Sequence, residues 1–135
     1  MMWSEIMTRV VTMIESHPIL GVTYNGRVRK ASSGGDQQVP GIEWSLIGDT
    51  EGELWEPMIV QIDVWYTEFA TMLETERIVR SLLPRDLPFK LGGDLTVIAS
   101  FEAGVDLAVP DRSNFYGRGL RFRIAALRNQ YAFNT

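Results

Sequence analysis

The sequence predicts an α+β fold: an antiparallel sheet of about four or more strands, two helices packed on one of its faces, and a hairpin or loop extension. Three observations carry this. Met58 to Leu83 passes from a two-residue apolar period into a helical one with almost no connecting loop, a second amphipathic stretch stands at the N-terminus, and the apolar residues from Leu120 onward alternate with arginines.

In the first of these stretches, Val60, Ile62, Val64 and Tyr66 fall on one strand face and Ile59, Gln61, Asp63 and Trp65 on the other. One face is apolar and the other mixed. Phe69, Met72, Leu73, Val79, Leu82 and Leu83 then recur at helical spacing, with Thr67 as N-cap and Pro84 as stop. Glu68, Glu74 and Glu76 come early and Arg77 and Arg80 late, which suits the helix dipole and spaces Glu76 and Arg80 for an ion pair one turn apart. A strand therefore feeds a helix that lies back across the same sheet.

The N-terminal helix is traced by Trp3, Ile6, Val10, Met13 and Ile14, with Ser4 as its cap and Pro18 beyond its end. Val22 to Arg29 places β-formers on both sides of Asn25-Gly26, a strong hairpin signal. The small, polar stretch over 31–38 reads as a flexible loop, either a tolerated surface segment or one that orders against a partner. Gly41 to Ile47 is the next strand, with Ile42, Trp44 and Leu46 on one face, and it forms a long hairpin with the strand that follows Pro57. Pro84, Pro88, Gly92 and Gly93 mark a connector. Asp94 to Phe101 returns to the strand period, Gly104 interrupts it, and Val105 to Val109 continues as a short edge segment. Asp111 to Gly119 reads as a loop. In the last strand Leu120, Phe122, Ile124 and Ala126 face the core while Arg121 and Arg123 stand on the other side.

At 135 residues the chain is expected to be one domain over 1–135, long enough to bury a core without disulfides or metal. It has no cysteine, which excludes disulfides and thiolate metal sites. No apolar run is long enough for a bilayer span, and the N-terminus lacks the pattern of a signal peptide, so an intracellular product or one released by lysis is expected. The net charge of −4 argues against general nucleic-acid binding. Its distribution says more. Glu43 to Glu76 contains nine acids and no Lys or Arg, whereas five arginines follow Pro110 against Asp111 alone. Either the surfaces merely differ in charge, or complementary faces dock copies of the chain.

Chemistry-bearing patterns are few. His17 is the sole histidine, and as a lone catalytic base it needs a nucleophile and an orienting partner that no pattern in the sequence supplies; Asp63 and Asp94 are the other acid/base candidates, and nothing in the pattern brings the three together. The acidic turn Gly48 to Glu53 lacks the fuller calcium-loop pattern and its distant glutamate. Gly117-Arg118-Gly119 lacks the lysine and spacing of a phosphate cradle. Trp65 on the mixed strand face is expected to be half exposed in a lone subunit, a situation that an interface would relieve.

The run Ile59 to Trp65 leading into Phe69 to Leu83, a Pro/Gly connector, a strand, and the closing Phe115 to Ile124 resembles the tail-terminator and related tail-completion proteins of long-tailed bacteriophages and phage-like particles. The resemblance covers most of the chain, including its N-terminal helix; the Gly/Ser loop and the acidic turn around Asp49 are where the chain departs. What it implies is a non-enzymatic virion protein of the tail or neck, made in the host cytoplasm, without cofactor or metal. Such a protein forms a ring, usually of six copies, on the end of the tail tube, stops tube polymerisation and meets the head connector. DNA passes through the ring without sequence-specific binding. Asp63, Trp65, Arg118, Arg121 and Arg123, with Ser33, Gly34, Asp36, Glu51 and Glu53 of the two loops, are the expected contact residues. Another neck component, a head-completion or head–tail joining protein, is the alternative, and a small-ligand domain or enzyme on the same fold is a further one.

Overall fold

The computed structural model describes residues 2–31, 39–47, 57–92, 95–107 and 115–126. Of the expected flexible loop at 31–38, residues 32–38, with Ser33, Gly34 and Asp36, lie outside the described residues, as does the acidic turn with Glu51 and Glu53. The elements run α1 (Met2–Glu15), α2 (Leu20–Thr23), β1 (Val28–Lys30), β2 (Gly41–Ile47), β3 (Met58–Tyr66), α3 (Phe69–Leu82), β4 (Phe89–Gly92), β5 (Leu95–Leu107) and β6 (Tyr116–Ala126). The six strands form one sheet in the order β1-β2-β3-β6-β5-β4. Every pairing is antiparallel except β1 with β2, which is parallel.

The expected α+β architecture is therefore observed. The long hairpin between β2 and β3 is present, with Ile47 opposite Ile59 and Gly41 opposite Trp65. Ile42, Val60, Ile62, Val64, Val97, Ala99, Leu120, Phe122 and Ile124 occupy one sheet face and are almost wholly buried. Ile6, Met7, Val10 and Ile14 of α1 and Met72, Ile78 and Val79 of α3 join the same core, so both long helices cover that face. Removing such side chains from water is the main favourable contribution to this layer.

Several local expectations fail for identifiable reasons. Val22 to Arg29 is not a hairpin, because Leu20 and Tyr24, one helical turn apart, are both 1 % exposed and their burial selects α2 over an extended strand. Asn25-Gly26 still turns the chain, with Gly26 at φ 72 and Arg27 N–H donating to the Tyr24 carbonyl at 2.8 Å, but it joins a helical turn to β1. Glu68, not Thr67, is the N-cap of α3, and its side chain makes no capping bond. α1 begins before Ser4, whose carbonyl accepts from the Thr8 hydroxyl inside the helix. The connector contains a strand, β4, paired to the start of β5. Gly104 does not interrupt β5; the strand runs through it, with an irregularity between Phe101 and Ala103. Nor is 116–119 a loop. β6 starts at Tyr116, and its glycines lie where large side chains of β3 cross over them.

One buried hydrogen bond ties the α2 corner to α3, and a second, within α3, orients the Thr75 hydroxyl. The Tyr24 and Thr75 hydroxyls are 2.8 Å apart in the interior, and the Thr75 hydroxyl lies 2.9 Å from the Thr71 carbonyl. Burial, only partly offset by Thr75, pushes the Tyr24 phenol up to about 12. At the corner after α1, His17 Nδ1 accepts from the Ile19 and Leu20 backbone N–H groups at 3.1 and 3.3 Å. This caps α2.

Candidate functional site

The sheet face that no described helix covers carries three of the polar residues expected for contacts, Asp63, Arg121 and Arg123. On it, Glu43 of β2 stands directly opposite Asp63 of β3, Asp63 opposite Gly119 of β6, Gln61 opposite Arg121, and Ile59 opposite Arg123. Arg121 Nε donates to Gln61 Oε1 at 2.9 Å, and Gln61 Nε2 donates to Asp63 Oδ1 at 2.8 Å. A neutral amide thus separates the guanidinium from the carboxylate. Burial first, then the facing Glu43, raises the Asp63 pKa against the opposing pull of Gln61 and Arg121.

Gly119 makes this relay possible. A Cβ there would stand 2.9 Å from Gln61 Nε2 and 3.0 Å from Asp63 Oδ1, so any side chain would displace the pair. The rest of the face is more fully neutralised. Glu43 is buried and paired with Arg29 at 2.8 Å, and Arg123 Nε reaches Glu102 at 2.8 Å. The two arginines that β6 places on this face are therefore unequal: Arg123 has a carboxylate partner and Arg121 an amide one.

Trp65 departs from expectation. It is on the helix-free face, but only 2 % exposed. Its cross-strand neighbours are Gly41 on β2 and Gly117 on β6, and the indole lies so close over Gly117 that a Cβ could not be accommodated. Phe115 closes the cluster edge to face at 5.5 Å between centroids. The subunit covers Trp65 by itself, so half exposure gives no reason to invoke an interface. Its Nε1–H is buried without a hydrogen-bond partner among the described residues.

Arg118 also differs from its expected setting, because its side chain turns to the helix side. Its Nε donates to Glu76 on α3 at 2.8 Å and its Nη1 to Asp106 on β5 at 2.6 Å. A Cβ on Gly104 would lie 2.8 Å from Arg118 Nη2, so that glycine leaves room for the guanidinium. Glu76 also meets Arg80, at 3.6 Å, and the Arg80 guanidinium lies over the Phe101 ring at 3.9 Å. One expected complement, the acids from Glu43 to Glu76 with the arginines after Pro110, is in this instance made inside the subunit.

No acid/base constellation forms among the described residues. Asp63 is on the helix-free face and His17 is in the helical layer, while Asp94 lies outside the described residues. No group of three His, Asp or Glu suited to a metal occurs among the described residues. None of the described helices is long and apolar enough to cross a membrane. An open groove of about 540 Å³ beside α1 and Leu91 is lined by Glu5, Thr8, Arg9, Thr12 and Met13, with Glu5 and Arg9 paired along the helix at 3.4 Å.

Sequence reasoning missed a surface of a different kind. Phe69 and Leu73 belong to the apolar stripe of α3 yet are 52 % and 41 % exposed, and Tyr116 at the start of β6 is 41 % exposed. Phe69 and Tyr116 meet edge to face at 5.4 Å. The available signal was the breadth of the stripe, too wide for all of it to face one sheet.

Comparison with known proteins adds a likeness of fold. No protein-family model matches the sequence, and no curated protein matches it. Among solved structures, a chain of the structure described as the virion of a native gene transfer agent particle superposes with a TM-score of 0.57 at 14 % identity, over 87 % of this chain and 90 % of that one. At that identity the likeness is one of fold.

Proposed function

We propose that this chain is a non-enzymatic structural protein of a phage-like virion, specifically a tail terminator. The observation that carries the reading is the match in fold to a gene transfer agent virion chain across nearly the full length of both. The order of elements that resembles tail-terminator proteins supports the finer role. In this reading copies of the chain form a ring, of six, on the head-proximal end of the tail tube. The ring stops tube growth and meets the head connector, and DNA traverses its lumen without base-specific contacts.

The helix-free face supplies the contact residues. Arg121 donates to the Gln61 amide and that amide donates to Asp63, so the two charges are linked through one amide rather than in a direct pair, which leaves each charge able to take a partner on a neighbouring protein. Arg123 contributes at the same face. Arg118 positions β5 and β6 against α3, and Trp65 supports the end of the sheet from within. Ser33, Gly34, Asp36, Glu51 and Glu53 complete the contacts from the two loops.

A head-completion or head–tail joining protein is the second reading, since the same virion likeness supports it equally. Imaging an intact particle with this chain labelled distinguishes them: density capping the tail tube supports the terminator, and density confined to the head vertex replaces it with the second reading. Mass in solution, measured over a range of concentrations with and without tube protein, tests the assembly itself. A chain that stays monomeric and never joins a tail sinks both.

A further inference from the structure

Two exposed apolar features lie at opposite ends of α3. At its N-terminal end Phe69, Leu73 and Tyr116 form the patch described above, with the exposed Glu68 next to Phe69 in the chain. Beyond its C-terminal end, about 20 Å away along the helix, Leu87 stands 64 % exposed on the turn into β4. That turn is fixed. Asp86 adopts φ 58, a conformation uncommon for a non-glycine residue; its N–H donates to the Ala99 carbonyl at 2.8 Å, and its carboxylate accepts from the Ser100 hydroxyl at 2.7 Å. The first of these bonds pairs Arg85 with Ala99 as a short parallel β-bridge. The result is an apolar knob presented to solvent on a pinned turn, with exposed Arg85 and Lys90 on either side and the Asp86 carboxylate drawn towards Ser100 and Arg85.

We propose that Leu87 of one copy seats on the Phe69, Leu73 and Tyr116 patch of the next, with Lys90 facing Glu68. The inference rests on the ring reading above and names the surfaces that make the ring. Apolarity and sign both fit: one exposed aliphatic side chain meets an exposed aromatic pair, and the Lys90 ammonium meets the Glu68 carboxylate. The two surfaces differ, so the contact is heterologous and each copy keeps one of each free for the next, as a cyclic assembly requires.

Leu87→Asp removes the knob and Phe69→Asp the receiving patch, both at exposed positions where circular dichroism is expected to report an unchanged fold. Each variant alone should raise the concentration needed for self-assembly by about tenfold or more. Mixed together they should form a dimer and nothing larger, because one intact knob meets one intact patch. Since the chain has no cysteine, a Leu73→Cys, Leu87→Cys variant provides a second readout, a ladder of oxidised multimers from wild-type-like assemblies. Wild-type rings that persist in both Asp variants, or a double-cysteine variant that yields no ladder, overturn this contact while leaving the ring reading standing. Wild-type protein that is monomeric even with tube protein overturns both.

Discussion

The two faces of the sheet obey different rules. On the face under α1 and α3, strand alternation alone identifies the buried side chains, and Val60, Ile62, Val64, Leu120, Phe122 and Ile124 are all fully or almost fully buried. On the open face the same alternation misleads. Trp65 is buried where it was expected to be half exposed, Glu43 is buried as an ion pair, and Arg121 one strand away remains exposed. The difference teaches that a helix-covered face is decided by hydrophobicity summed along each strand, whereas an open face is decided by which residues of neighbouring strands stand opposite each other.

The comparison breaks most directly at Ile62, which is wholly buried. Ile62→Asp places an uncompensated charge beneath the helices and is expected to cost at least about 3–5 kcal/mol, enough to leave little folded protein. A soluble variant with a wild-type urea midpoint would refute the face assignment. On the open face, Gly117→Ala is the corresponding strike. It forces a methyl group into the Trp65 indole and is expected to destabilise by about 1–3 kcal/mol, read as a lower denaturation midpoint with unchanged slope. An unaffected midpoint would mean that Trp65 does not lie over that glycine.

Smaller still is the effect of Asp63. Because its folded pKa lies above the unfolded value, the native state holds its proton more tightly, and this residue's contribution to stability falls as pH rises from the ordinary carboxylate range through the raised folded pKa. Asp63→Asn is therefore expected to stabilise the isolated subunit modestly at neutral pH and to flatten that decline. A variant less stable than wild type at neutral pH would show that the carboxylate is better compensated than Gln61 and Arg121 suggest.

Least costly to the fold is the pair Arg121→Glu, Arg123→Glu. Exposed interactions of this kind contribute about 0–1 kcal/mol each, so thermal unfolding should shift by only a few degrees. Assembly should fail nonetheless. Rings that form at wild-type concentrations would show that the two arginines are only solvated.

Much of the fold was legible because it depends on periods within single segments. The two-residue period of 58–66, the helical period of 69–83 and the alternation from Leu120 each report burial locally, and the strand-to-helix passage at Tyr66 follows from them. What went wrong involved competition between segments. Val22 and Thr23 favour a strand, but burying Leu20 and Tyr24 against α1 and α3 favours a helical turn. Gly117 and Gly119 read as loop residues until β3 is laid beside them, when they become the positions that admit Trp65 and the Gln61–Asp63 pair.

By itself the sequence determined the α+β class, the core face of the central strands, the two long helices and the candidate polar residues of the other face, because hydrophobic period and charge are properties of a segment. Only the tertiary structure decided that Arg118 turns inward to Glu76, that Trp65 is covered by its own subunit, and that Phe69, Leu73, Tyr116 and Leu87 remain exposed. Those outcomes depend on register and on how much of a helix stripe the sheet can cover, and both are set by segments far apart in the chain.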